Sequence, residues 1–233
     1  MISIDTTYQT VLALANKEQR GYITPQEFNL YANVAQMSIF EQYFYDLNQF
    51  KRVPGNDTNY ADMVDLLEEK ISIFKKGPTS VSHGTSLSAL PGSTDYTFYR
   101  CDDVVDTSRN KVIEEIKSGD IYKTQYSPLI KATTSRPVYY KKDGKIYFIP
   151  TTVSPKVNWI RKPLDPNWTY IVVNEKPLYN HGAAGQMDFE LHSSEQVELV
   201  VKILQLAGIA IKDLNLVQVA AQEENRSIQQ QKQ

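Results

Sequence analysis

Through the first 75 residues, apolar positions recur at helical spacing. Tyr8, Val11, Leu12 and Leu14 predict a first helix, capped by Asp5 and ended by Gly21 in the left-handed conformation. Thr24-Pro25-Gln26-Glu27 predicts the start of a second. Thr24 serves as N-cap, Pro25 suits the first helical position, and Glu27 closes a capping box back onto Thr24. This helix runs to about Phe50 with no internal Gly or Pro. Its apolar residues fall on more than one face. Phe28, Tyr31, Ala35 and Ile39 mark one, Met37, Phe40, Phe44 and Leu47 another, and Tyr43 and Tyr45 lie between. A helix apolar over most of its circumference is buried on several sides, either in a domain core or against neighbouring subunits. Beyond the turn Pro54-Gly55-Asn56-Asp57, Tyr60, Met63, Val64, Leu66 and Leu67 predict a third helix, which Ile71 to Phe74 extend or replace with a strand.

The pattern then changes period. From Gly77-Pro78 to Gly92-Ser93-Thr94 the chain is rich in Ser, Thr, Gly and Pro and reads as loop or strand edge. Short strand-like runs follow at Tyr96–Tyr99, Val138–Tyr140, Lys145–Ile149, Val157–Ile160 and Trp168–Val173. Asp143-Gly144 between two of them predicts a hairpin, because Gly supplies the positive φ of a tight primed turn. Arg109 to Lys117 predicts a short helix with Ile113 and Ile116 facing inward. In the last block Ser193-Ser194-Glu195-Gln196 predicts another capping box. Val197, Val200, Val201 and Leu204 continue it at helical spacing until Gly208 stops the helix. From Asp213 a weak helix through Leu214, Val217 and Ala221 leads into the polar tail EENRSIQQQKQ, which has little to bury and orders only on a partner. The expected class is α+β: an N-terminal antiparallel helical bundle (1–75), a central antiparallel β-rich region (76–175), and a C-terminal helix with an extended or helical interaction arm (176–233).

Composition narrows the classes of function. The 233 residues carry a net charge of −2, which supplies no nucleic-acid-binding surface. A single cysteine, Cys101, excludes an internal disulfide framework and fits assembly in a reducing cytoplasm. No apolar run reaches the ~20 residues of a membrane span. Fifteen tyrosines and eight phenylalanines suit interfaces that use an apolar ring with a polar tip.

Candidate chemistry is sparse. Asn16 to Glu27 scans like an EF-hand loop, with Gly21 in the sixth place and Glu27 in the twelfth. Position five is Arg20, a fixed cation where a calcium ligand belongs. His83, His181 and His192 stand at no mutual helical spacing, and Cys101 has no cysteine partner for zinc. Glu114-Glu115 and Asp102-Asp103 are neighbours in sequence, so their side chains point apart. Tyr139, Tyr140, Lys141, Lys142, Lys145 and Tyr147 match a base-stacking platform in composition, and equally a plain hairpin with a polar tip. Trp168 among prolines reads as a packed corner or a sugar-binding shelf. No enzyme, cofactor or metal ion is expected.

The segments LANKEQRGYITPQEFNLYANVAQMSIFEQYF, RPVYYKKDGKIYFIP, WIRKPLDPNW, and SSEQVELVVKILQLAGIAIKD with NRSIQQQKQ occur in this order. Together they resemble virion structural proteins of tailed phages that infect Bacteroidetes, including the crAss-like podoviruses, and of related marine phages. The resemblance implies a non-enzymatic head-to-tail connector or neck ring subunit, made in the host cytoplasm and resident in the virion neck or tail. Such adaptors usually form a homo-oligomeric twelve-fold ring. The implied partners are further copies of the chain, the portal protein, other tail and neck ring proteins, and DNA passing without sequence-specific binding; no membrane is involved. Phe28, Tyr31, Met37, Phe40 and Phe44 on the second helix, with Leu214, Val217 and Ile228 in the arm, become the candidate interface residues. The alternative is a tail-side or capsid-surface module whose β region binds host glycan.

Overall fold

The computed structural model describes residues 1–17, 22–52, 62–90 and 97–210. Its elements are α1 (Ile4–Lys17), α2 (Pro25–Arg52), α3 (Asp62–Ser72), β1 (Lys75–Ser80), β2 (Thr85–Ser86), β3 (Phe98–Asp106), β4 (Lys111–Val112), β5 (Glu114–Glu115), α4 (Ile121–Tyr126), β6 (Val138–Lys142), β7 (Lys145–Ile149), β8 (Pro155–Arg161), β9 (Tyr170–Val173), β10 (Lys176–Tyr179) and α5 (Gln196–Ala210). The fold is α+β. It divides into two compact units: a helical unit of Met1–Ile73 with the described residues from Pro163 on, and a β unit of Phe74–Lys162. The expected boundary near residue 175 therefore falls at 162, and the C-terminal block joins the first instead of standing apart. The expected turn at 54–57, the helix stop at Gly21 and everything from Asp213 on lie outside the described residues.

Within the helical unit, α2 is the spine. Phe28, Ala32, Ala35, Gln36, Ile39, Phe40 and Tyr43 are buried. Their spacing forms one broad stripe, so the two faces expected from sequence merge. α3 and α5 pack along α2, and Tyr8 of α1 meets Phe28 with ring centroids 4.6 Å apart. The helix begins as expected. Thr24 N–H donates to Glu27 Oε2 at 2.9 Å, and Glu27 N–H returns to Thr24 Oγ1 at 3.3 Å. Such a cap contributes about 1 kcal/mol. α1 begins differently: Ser3 takes the cap position, receiving Thr6 N–H on Oγ and Thr7 N–H on its carbonyl. Asp5 lies inside the first turn, where Oδ1 accepts the Trp168 indole N–H at 3.0 Å.

Two amides on α2 explain why residues beyond 162 belong here. Asn29 Nδ2 donates to the Trp168 carbonyl at 3.2 Å, and its Oδ1 accepts Trp168 N–H at 2.9 Å. Gln36 Nε2 donates to the Leu164 carbonyl at 2.7 Å, and its Oε1 accepts Glu190 N–H at 3.1 Å. An extended segment without a sheet thus has its backbone groups satisfied by helix side chains. The start of α5 also departs from expectation. His192, not a serine, accepts Ser194 N–H, while Glu195 is buried in an ion pair with Lys70 of α3. Leu199, Val200, Ile203 and Ala207 face inward and Val197 is exposed, so the helix is rotated from the predicted phase. It passes through Gly208 to Ala210.

The β unit holds two four-stranded sheets, ordered β1-β8-β3-β4 and β2-β7-β6-β5. All pairings are antiparallel except β5 with β6. Their inner faces meet in one core built on Val104, Ile113, Tyr139, Phe148, Val157 and Trp159. Asp143 and Gly144 have φ of 52° and 68°, the predicted primed turn of the β6–β7 hairpin. Gly77, expected in a loop, lies within β1 at a register shift. Its φ is +124°, and a Cβ there would meet Val157 O at 2.8 Å, so only glycine fits.

The expected helix over Arg109–Lys117 does not form. The buried Asp106 receives Ser108 N–H at 3.0 Å and the Arg109 guanidinium at 3.2 Å, and this turn folds the chain back on β3. β4 then pairs with Val105 and Asp106, and β5 with Val138 and Tyr139. Tertiary strand pairing overrides local helix preference. Ile113 still enters the core as expected, and Ile116 is half-buried.

Candidate functional site

The predicted interface residues separate into three groups. Phe28 and Phe40 are fully buried inside the helical unit, which removes both from any partner surface: their stripe is covered by the chain's own helices. Tyr31, Met37 and Phe44 are half-buried at the edges of that stripe. Leu214, Val217 and Ile228 lie outside the described residues.

What α2 does expose was not singled out from sequence. Leu30 and Val34, one turn apart, are 66% and 55% exposed, and Tyr45 lies farther along the outer side. Their i, i+4 spacing, between the two apolar faces of the helix, is the signal that the sequence holds for them.

A second exposed apolar surface is the β9–β10 hairpin. Its strands pair in strict register from Tyr170–Tyr179 to Val173–Lys176, and among the described residues no third strand joins them. Asn174 and Glu175 supply the positive φ values of the turn, 49° and 62°. The base is anchored: Tyr170 and Tyr179 stack on the buried Trp168 at 5.8 and 5.7 Å. Trp168 is thus a packed corner. Toward the tip Ile171, Val172, Val173 and Leu178 are all exposed, although alternation along a strand sends them to opposite faces. A soluble ribbon ordinarily keeps one face polar. Only the first strand of this pair was expected, because Lys176-Pro177-Leu178-Tyr179 begins with a charge and a proline.

The residues considered for chemistry are engaged structurally. Burial pushes the Cys101 thiol up, away from a reactive thiolate. Glu114 pairs with Arg136 at 3.0 Å; Glu115 accepts from the Tyr139 hydroxyl and Lys141. The Glu27 carboxylate is spent on Thr24, whose backbone and hydroxyl donors hold it below the usual range. Among the described residues no group of three or more His, Cys, Asp and Glu is placed to hold a metal ion, and no helix is long and apolar enough to cross a membrane. Compared with family models and with curated proteins, the chain matches none.

Proposed function

We propose that the chain is a non-enzymatic virion structural protein, a subunit of the head-to-tail connector ring that joins portal to tail around the DNA passage. The observation that carries this reading is the pair of unlike apolar surfaces on the helical unit, one on α2 and one on the β9–β10 hairpin. A closed ring is heterologous: each subunit presents two different faces, and each face meets the other kind on its neighbour. Exposed apolar positions on two separate elements suit that geometry better than a single self-complementary patch. The ordered segments that resemble tailed-phage virion structural proteins, the polar Gln-rich C-terminal sequence and the small net charge support the same reading. The chain is then made in the host cytoplasm and resides in the virion neck, with portal and tail proteins as partners.

Mass photometry and negative-stain imaging of the full chain, alone and with the portal protein of the same virion, test this. Closed rings, about twelve-fold by analogy with short-tailed phage adaptors, are expected. A chain that stays monomeric at every concentration and ignores the portal ends the proposal. Removing residues 213–233 should leave a folded subunit that no longer joins its neighbour; unaffected assembly eliminates the arm.

A further inference from the structure

The β unit carries an open cleft of about 550 Å³, lined by His83, Gln125, Tyr126, Lys131, Tyr140 and Thr151, with Ile149 and Pro150 among the apolar positions. That volume is within the ~300–1,000 Å³ of small-molecule sites. We infer that this cleft binds an acidic saccharide, a pyranoside bearing a single carboxylate.

The geometry supplies the two things sugar recognition needs, aromatic faces and hydrogen-bonding groups near them. Tyr140 lines the cleft, and its cross-strand partner Tyr147 backs it, stacked at 5.1 Å and 14°. Their neighbours Tyr139 and Phe148 point the other way, into the core. The His83 ring stands edge-on to Tyr147 at 5.2 Å. Its Nδ1 lies 3.1 Å from the Phe148 amide nitrogen and 3.0 Å from the carbonyl oxygen, which pins the ring at the sheet edge and leaves Nε2 for another partner.

The 121–132 segment brings the other side chains. It is closed on itself by Ala132 N–H to the Thr124 carbonyl at 2.9 Å and by Lys123 to Asp120 at 3.1 Å. Tyr126 is 70% exposed and stacks on Tyr122. The apolar face of a pyranose packs on such rings, while Gln125, Thr151 and the phenolic groups meet its hydroxyls.

Charge narrows the class. Among the described residues lining the cleft, Lys131 is the one full charge and no carboxylate is present. A single flexible ammonium suits a single carboxylate. A nucleotide polyphosphate is better matched by several cations, and the described lining holds one.

The inference stands apart from the ring assignment, since it concerns the β unit alone. Saturation-transfer NMR and calorimetry on the full chain test it, with a tetrasaccharide carrying a single hexuronate residue as probe and maltotetraose as the neutral comparison. The uronate should bind, and Tyr126→Ala and Lys131→Ala should each weaken it at least ten-fold. Both residues are exposed, and unchanged melting temperatures would confirm that the variants fold. Preference for the uronate over maltotetraose should vanish in Lys131→Ala. Absence of saturation transfer to either probe, or binding in both variants equal to the parent, overturns the site. Equal binding of the two probes to the parent overturns the acidic class.

Discussion

The hydroxyl of Tyr43 is buried on α2 with no hydrogen-bond partner among the described residues, while Lys70 Nζ lies 5.6 Å from the ring centroid. Burial first, then the Glu195 and Glu198 carboxylates, hold its phenol far above the usual range. Burial does the same to Tyr8 and Tyr139. Because the folded-state values are raised, the native state keeps these protons where the unfolded chain releases them. Their stability contribution is complete below the ordinary tyrosine value of about 10 and is lost as pH rises beyond it. Each such group makes stability fall by about 1.4 kcal/mol per pH unit in that window. Tyr43→Phe removes one of the three and also an unpaired polar atom. At neutral pH the variant should be equal to the parent or more stable by up to ~1 kcal/mol. Above pH 10 its stability should decline less steeply. Urea unfolding at pH 7 and at several values above 10 checks both; a neutral-pH loss above ~1 kcal/mol would show that the hydroxyl has a partner after all.

At the scale of elements, the helical unit depends on α2 side chains that reach into an extended segment over a hundred residues away in sequence. Gln36 satisfies the Leu164 carbonyl and the Glu190 amide together. Gln36→Leu keeps the approximate volume but strands both groups, at ~1–3 kcal/mol each. A loss of about 2 kcal/mol or more is expected in denaturant unfolding, and a change below ~1 kcal/mol would mean that water replaces the amide. This long-range clamp also marks the limit of what sequence discloses. Thr24 with Glu27, and Asp143-Gly144, were legible because each motif closes within a few residues by its own chemistry. The Arg109–Lys117 segment was not, because a buried aspartate at one end and strand partners at 104–106 and 138–139 decide its form. The box expected over Ser193–Gln196 gives way to a His192 cap, and Glu195 within it is an ion-pair partner of Lys70, which lies on a helix far back in the chain. The same reasoning explains the interface residues. Periodicity places Phe28 and Phe40 on faces of a helix, but whether those faces meet α1, α3 and α5 or a neighbour depends on contacts that periodicity does not contain.

For the molecule as a whole, what remains exposed after these contacts form is what supports the proposed assembly. An apolar pair on α2 and a hairpin apolar on both faces keep hydrophobic area in water, a cost of about 25 cal/mol per Å² that association recovers. The hairpin is the better place to intervene, because its tip contributes nothing to the core. Ile171 and Leu178 are cross-strand partners and both are exposed. Replacing them by Ile171→Glu with Leu178→Lys puts opposite charges across the ladder, an arrangement worth roughly 0.2–1 kcal/mol to a strand pair, so the hairpin should persist. The double variant should keep the parent's circular dichroism and melt within a few degrees of the parent's monomeric form, while ring formation falls by at least ten-fold in concentration dependence, read by mass photometry. The paired change Leu30→Glu with Val34→Lys should produce the same defect from the other face. Mixing the two variants then discriminates between ring contacts. If the hairpin of one subunit docks on α2 of the next, each variant retains one intact surface, and the mixture should give dimers but no closed rings. If each surface instead pairs with its own kind, the mixture should not cross-associate, and the heterologous ring would have to be abandoned.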